Sequence, residues 1–194
     1  KLSDFNEDSV LNRMEKQLKK SNIIINNTKK INLTWSIRDI SRNLKQYTNG
    51  EYILIFPFCS KKHLKKKWPF FKKLVNKFKQ AYKNKYSVLI IPGPGETEEA
   101  KSFNAKVVLN EDNEPVNLNY LITLIKNSSF VISNDTGPAH ISSHLNKKGL
   151  VLFGSHTSAK KVSIETEKFK ALTRKKLSDL RVEEVMDTVQ KNLN

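Results

Sequence analysis

Residues 133–145 read SNDTGPAHISSHL and directly follow the apolar run Phe130-Val131-Ile132. A chain that leaves a strand through Asn134, Asp135, Thr136 and Gly137 and then enters a helix is built for anion chemistry. Gly137 lets the backbone come close to a ligand, and Pro138 suits a first helical turn. Amides around Thr136, Gly137 and Ala139 would face outward with the positive end of the helix dipole behind them. An anion there gains ~0.3–1 kcal/mol from the dipole and about 1.5–3 kcal/mol from each charge-assisted hydrogen bond. Those magnitudes suit a phosphate, and His140 stands one turn into the helix. The residues are equally compatible with a plain helix start, in which Asp135 or Asn134 caps and His140 packs.

His140 and His144 share a helix face, but no Glu lies between them in an HExxH arrangement and no cysteine or carboxylate cluster completes a set, so no metal is expected. His144 reads as a packing residue. Two further segments leave apolar runs with unusual composition: PFCSKKHLKKKWP and PGPGE. PGPGE lacks the spacing of the dinucleotide fingerprint; its Glu96 either accepts from ribose hydroxyls or caps a helix. The lysine-rich run Lys61 to Lys67 is either a solvated loop or, because Trp68-Pro69 anchors its end, a means of holding Lys66 and Lys67 near a diphosphate. Cys59 beside it has no His or acid partner in sequence and reads as a loop residue, at most mildly activated by its lysine neighbours.

The elements that must position these residues follow from periodicity. YILIF, SVLII, KVV, FVIS and GLVLF are short apolar runs, too apolar for a wet face. Between them lie amphipathic helices: one carrying Phe71, Leu74, Val75, Phe78 and Tyr82, a short one with acidic residues in its first turn at ETEEAKSF, NLNYLITLIKNSS, and GPAHISSHLN. The order implies a Rossmann-like α/β fold, a parallel sheet with helices on both faces. In such sheets ligands sit beyond the carboxyl ends of the strands, where all three unusual segments emerge. The stretch after GLVLFG reads as polar loop until a closing helix with Leu180, Val182, Val185, Met186 and Val189 on its apolar face. DSVLNRMEKQLKK and SIRDISRNLKQY, the latter with Ile37, Ile40 and Leu44, predict two helices ahead of the first strand. The expected division is a helical connector over 1–50, a Rossmann-like domain over 51–178 and a C-terminal helix over 179–194.

The chain has 194 residues, 35 Lys plus Arg against 19 Asp plus Glu, and a formal net charge of +16. Such a field attracts polyanions, yet only five of the basic residues are Arg, the side chain that nucleic-acid readers use for bidentate contacts. A lysine-, asparagine- and isoleucine-rich composition also follows from A/T-rich codons. A non-enzymatic basic module for nucleic acid or anionic membrane is therefore the alternative class, but no RNA-binding signature with interleaved aromatics occurs. The single cysteine excludes an internal disulfide. No apolar run reaches the ~20 residues of a membrane helix and no signal peptide is recognised, which points to the cytoplasm. Residue 1 is Lys rather than Met, as expected of a piece of a longer chain.

Taken in order, FPFCS…KKWP, PGPGE, SNDTGPAH and VLFGS resemble the C-terminal half of the heptosyltransferase-like glycosyltransferase family 9, over roughly residues 50 to 192. Asp-Thr-Gly-Pro-x-His in its strand-loop-helix setting is the most specific of these. The resemblance implies the C-terminal, donor-binding domain of a GT-B enzyme. It also implies inverting transfer, without metal or cofactor, from a nucleotide sugar such as ADP-heptose to lipopolysaccharide core or another lipid-linked glycan, with peripheral contact at the inner membrane. By resemblance Thr136 and Gly137 bind the donor phosphates with His140 nearby. Lys66 neutralises the diphosphate, Glu96 lies at the nucleoside, Asp135 approaches the sugar, and Ser60 and Lys67 complete the donor contacts. The catalytic base is expected on an N-terminal domain outside this chain, and the closing helix is expected to cross back to that domain. This chain departs from the family pattern at Phe58, at Asn146-Lys147-Lys148, and in the loop SHTSAKK after Gly154, so a catalytically incomplete family member that keeps the fold stands as a further alternative.

Overall fold

The computed structural model describes residues 8–25, 28, 31–83 and 85–193. Parts of the expected connector, residues 1–7, 26–27 and 29–30, lie outside the described residues, as do Asn84 and Asn194.

Six strands form one sheet: β1 (Tyr52–Phe56), β2 (Ser87–Ile90), β3 (Lys106–Val107), β4 (Phe130–Asn134), β5 (Gly149–Phe153) and β6 (Phe169–Thr173). Every pairing is parallel and the order is β3-β2-β1-β4-β5-β6. The expected Rossmann-like α/β fold is therefore present, and the order reverses between β1 and β4, which opens a crevice at their carboxyl ends.

Side-chain alternation along each strand feeds two cores. Ile53, Ile55, Val88, Ile90, Phe130, Ile132, Leu150 and Leu152 point to one face. Leu54, Phe56, Leu89, Ile91, Val131, Val151 and Phe153 point to the other. Neither side of the sheet is wet, which is why the strands read as continuous apolar runs rather than as alternating ones.

Helices α1 (Val10–Lys20) and α2 (Ser41–Leu44) precede the sheet; α3 (Phe71–Tyr82), α4 (Thr97–Lys101), α5 (Leu118–Asn127), α6 (Gly137–His144) and α7 (Ala159–Val162) connect its strands; α8 (Val182–Leu193) closes the chain. Helix α3 buries Phe71, Leu74, Val75 and Phe78, a spacing of three and four that makes one stripe. Helix α5 starts where the Asn117 side chain accepts from the Tyr120 amide at 2.9 Å, a side-chain N-cap.

Four expectations are corrected. The polar stretch after β5 contains α7 and β6. β6 escaped notice because it is an edge strand whose Phe169 is buried while Lys170 and Thr173 are exposed. The third strand is only two residues long, also at an edge. SIRDISRNLKQY is helical only over α2, because the preceding residues dock on α5 instead, with the Arg38 amide donating to Thr123 Oγ1 at 3.0 Å. Finally, the closing helix does not keep its apolar face for another domain. Val182, Val185, Met186 and Val189 are buried in the same core as α3 and the sheet.

Candidate functional site

The floor of the crevice is fixed by Asn134, the last residue of β4. Its buried side chain accepts from the Trp68 amide at 3.0 Å and donates to the Pro57 carbonyl at 2.9 Å. One amide thus ties the exit of β1, the exit of β4 and the end of the lysine-rich segment together. Trp68 is 1% exposed and donates from its indole to the Leu180 carbonyl at 2.9 Å. Lys66 is thereby held over the carboxyl ends of β1 and β4.

Above that floor sits Asp135, with a side chain only 2% exposed and three basic partners. Its Oδ2 accepts from Lys66 Nζ at 2.7 Å and lies 3.0 Å from His156 Nε2, while Oδ1 lies 3.5 Å from His140 Nε2. Burial would raise the carboxyl pKa, but the hydrogen bonds from His140, Lys66 and His156 outweigh it and hold the group well below the usual carboxylate range. Asp135 is a fixed anion that gathers one ammonium and two imidazoles at one point.

Beside this cluster α6 begins. Thr136 occupies the N-cap position in extended conformation, and no side chain caps the helix. Neither Asp135 nor Asn134 caps: both are used elsewhere. Among the described residues the Thr136 and Gly137 amides meet no acceptor, whereas the Ala139 amide donates to the Thr136 carbonyl at 3.0 Å and is not available as expected. A Cβ built on Gly137 would find nothing within 4 Å, so the space over that residue is open. The arrangement offers two backbone donors, the positive end of a dipole and an ammonium to one small anion.

The remaining expected residues divide. Lys66, Asp135, Thr136, Gly137 and His140 come together. Lys67 turns away, pairing with Glu99 at 2.6 Å and lying over the Phe58 ring at 5.7 Å. Glu96 stands at the N-cap position of α4, but its carboxylate bends back to accept from the Gly93 amide at 2.7 Å. Burial pushes its pKa up, against the lowering effect of that hydrogen bond. Gly95, in the same loop, has φ of +77° and needs glycine for that reason. Ser60 caps the turn that follows it, accepting from the Lys62 amide at 3.4 Å. Burial raises the Cys59 thiol pKa despite the neighbouring lysines, so this thiol is not activated.

Sequence reasoning missed His156. Its side chain is 12% exposed, its ring stacks on Phe153 at 5.8 Å, and its Nδ1 is buried without a partner among the described residues. A signal existed: it lies two residues beyond the Gly that follows β5, at the strand end next to the crevice. Among the described residues no group of three or more His, Cys, Asp and Glu side chains is disposed to hold a metal ion. The Lys66 ammonium already fills the carboxylate oxygen shared with His156.

Fold and crevice define a Rossmann-like domain of the kind found in GT-B glycosyltransferases. The family model described as glycosyltransferase family 9 (heptosyltransferase) matches residues 13–189, and the chain belongs to that family. Among solved structures, the glycosyl transferase family 9 protein from Veillonella parvula DSM 2008 is similar at 15% identity and a TM-score of 0.74, over 96% of this chain and 60% of that one. E. coli heptosyltransferase WaaC with ADP is similar at 18% identity and a TM-score of 0.67, over 93% and 56%. E. coli ADP-heptose LPS heptosyltransferase II is similar at 15% identity and a TM-score of 0.64, over 88% and 53%. The chain spans a little over half the length of these three proteins. No curated protein matches it by sequence.

Proposed function

We propose that this chain is the C-terminal, donor-binding half of a glycosyltransferase that takes a nucleoside-diphosphate sugar, with ADP-heptose as the donor, and serves transfer to lipopolysaccharide core or a related lipid-linked glycan. The observation that carries the reading is the pair of unbonded amides at Thr136 and Gly137 with the Lys66 ammonium beside them. Transfer breaks the bond between the anomeric carbon and the diphosphate, and the acceptor hydroxyl oxygen takes its place with inversion. The electron pair leaves on the diphosphate, so negative charge grows where these donors and the ammonium stand. The proton leaves the acceptor hydroxyl for a base that this reading assigns to the facing domain.

Asp135 positions Lys66 and His140 for that task and approaches the sugar. Glu96, whose Oε2 is taken by the Gly93 amide, accepts from the ribose through its other oxygen. Ser60 and Lys67 are assigned outer donor contacts. Membership of the family and the names of two similar structures, one with ADP and one an ADP-heptose enzyme, support the donor class.

Calorimetric titration with ADP, UDP, GDP and ADP-heptose tests the reading. ADP and ADP-heptose are expected to bind, and Lys66→Ala with His140→Ala to weaken both by tenfold or more, since each removes a charge-assisted hydrogen bond. Absence of binding to every nucleoside diphosphate, or unchanged affinity in the double variant, defeats it.

A further inference from the structure

The residues from Lys61 to Lys67 divide by direction. Lys66 turns inward to Asp135, and Lys67 pairs with Glu99 at the surface. Lys61, Lys62, Leu64 and Lys65 face solvent, with Leu64 63% exposed. Among the described residues none of Lys61, Lys62 and Lys65 pairs with a carboxylate. One exposed apolar side chain therefore lies in a short segment with three exposed ammonium groups that pair with no carboxylate among the described residues.

This prow is held in shape. Two short 3-10 turns meet at His63, whose φ of −130° and ψ of 40° break them. The His63 amide donates to the Ser60 carbonyl at 2.8 Å, the Lys67 amide to the Leu64 carbonyl at 3.0 Å, and the Cys59 thiol to the His63 carbonyl at 3.3 Å. Below it Trp68 is locked to Asn134 and Leu180. A surface that is already ordered loses little entropy when it docks.

We propose that this prow docks on a bilayer containing anionic lipid, with Leu64 entering the boundary between headgroups and acyl chains and Lys61, Lys62 and Lys65 resting against lipid phosphates. Charge complementarity selects an anionic surface, and Leu64 selects a bilayer among anionic surfaces. A phosphate backbone offers an isobutyl group nothing, whereas a bilayer rewards its burial. Single-stranded nucleic acid would ask for aromatic platforms, but Phe58 and Trp68 are buried. Base edges would ask for arginine, and none occurs between Arg42 and Arg174. The inference goes beyond the donor reading and uses only outward side chains that have no part in it. Because the prow borders the crevice, docking would bring the crevice to the membrane surface.

Co-sedimentation with vesicles of phosphatidylcholine, alone and mixed with phosphatidylglycerol, tests it. The protein is expected to pellet with the mixed vesicles and to be released as salt rises. Each lysine contributes roughly fivefold to partitioning, so Lys61→Gln, Lys62→Gln and Lys65→Gln together should reduce it by roughly a hundredfold. Leu64→Ser should weaken it while leaving the salt dependence unchanged. Lys160→Gln, Lys161→Gln and Lys168→Gln, an equal change of charge elsewhere on the surface, should leave it close to wild type. Equal loss in both triple variants, no anionic preference, or displacement by RNA at equal phosphate concentration would overturn the proposal.

Discussion

Asp135 is the residue on which the cluster turns, and its ionisation gives a pH prediction with a definite sign. Its folded pKa is depressed, so the carboxylate adds stability at every pH above the ordinary value of ~3.9. That contribution is lost as pH falls through the folded value. Asp135→Asn should cost about 1–3 kcal/mol at neutral pH through lost charged hydrogen bonds. In chemical denaturation at a series of pH values, the gap from wild type should narrow below about pH 4; a gap that stays constant there contradicts the assignment. Asn134→Ala should cost a similar ~1–3 kcal/mol because it strands the buried Trp68 amide, readable in the same experiment. At this scale the sequence pointed to Asp135, Thr136, Gly137, His140 and Lys66 through one motif and one lysine run. His156 stayed hidden because a loop after a strand has no periodicity; its place two residues beyond Gly154 was the one signal, and the neighbourhood of Asp135 shows its use.

At the scale of elements, burial decided what could be read. β1, β2, β4 and β5 are covered on both faces and announce themselves as apolar runs; β3 and β6 pair on one side only, and their sequences carry half the signal. The segment around Ile37 and Ile40 has helical spacing, yet tertiary docking on α5 overrides it, as weak propensities allow. Two glycines separate packing from function. A Cβ on Gly149 would sit 2.5 Å from the Val131 carbonyl and 2.7 Å from the Phe169 ring, so Gly149→Ala should destabilise the β4-β5-β6 side by about 1–3 kcal/mol. A thermal melt close to wild type would show that this packing is looser than described. Gly137, by contrast, has open space where a side chain would go. Gly137→Val should leave the melt nearly unchanged while weakening ADP binding at least tenfold, and equal affinity would mean that nothing approaches that backbone.

At the scale of the molecule, the strand-helix alternation made the parallel sheet legible, while the strand order was not: only long-range pairing shows that the sheet reverses between β1 and β4. That reversal is what brings SNDTGPAH, PFCSKKHLKKKWP and the end of β5 to one crevice. The net charge of +16 is spent in two ways near it, with Lys66 drawn inward by Asp135 and other lysines left outward. Similar solved structures are matched over a little over half their length, so the central claim must be tested on binding by this chain. Amide resonances of Thr136 and Gly137, followed by 15N-1H NMR as ADP is added, do this most directly. The account predicts that both resonances move with a common saturation curve and that this curve shifts to higher ADP in Lys66→Ala. Saturable ADP binding that leaves the two amides unmoved would contradict it.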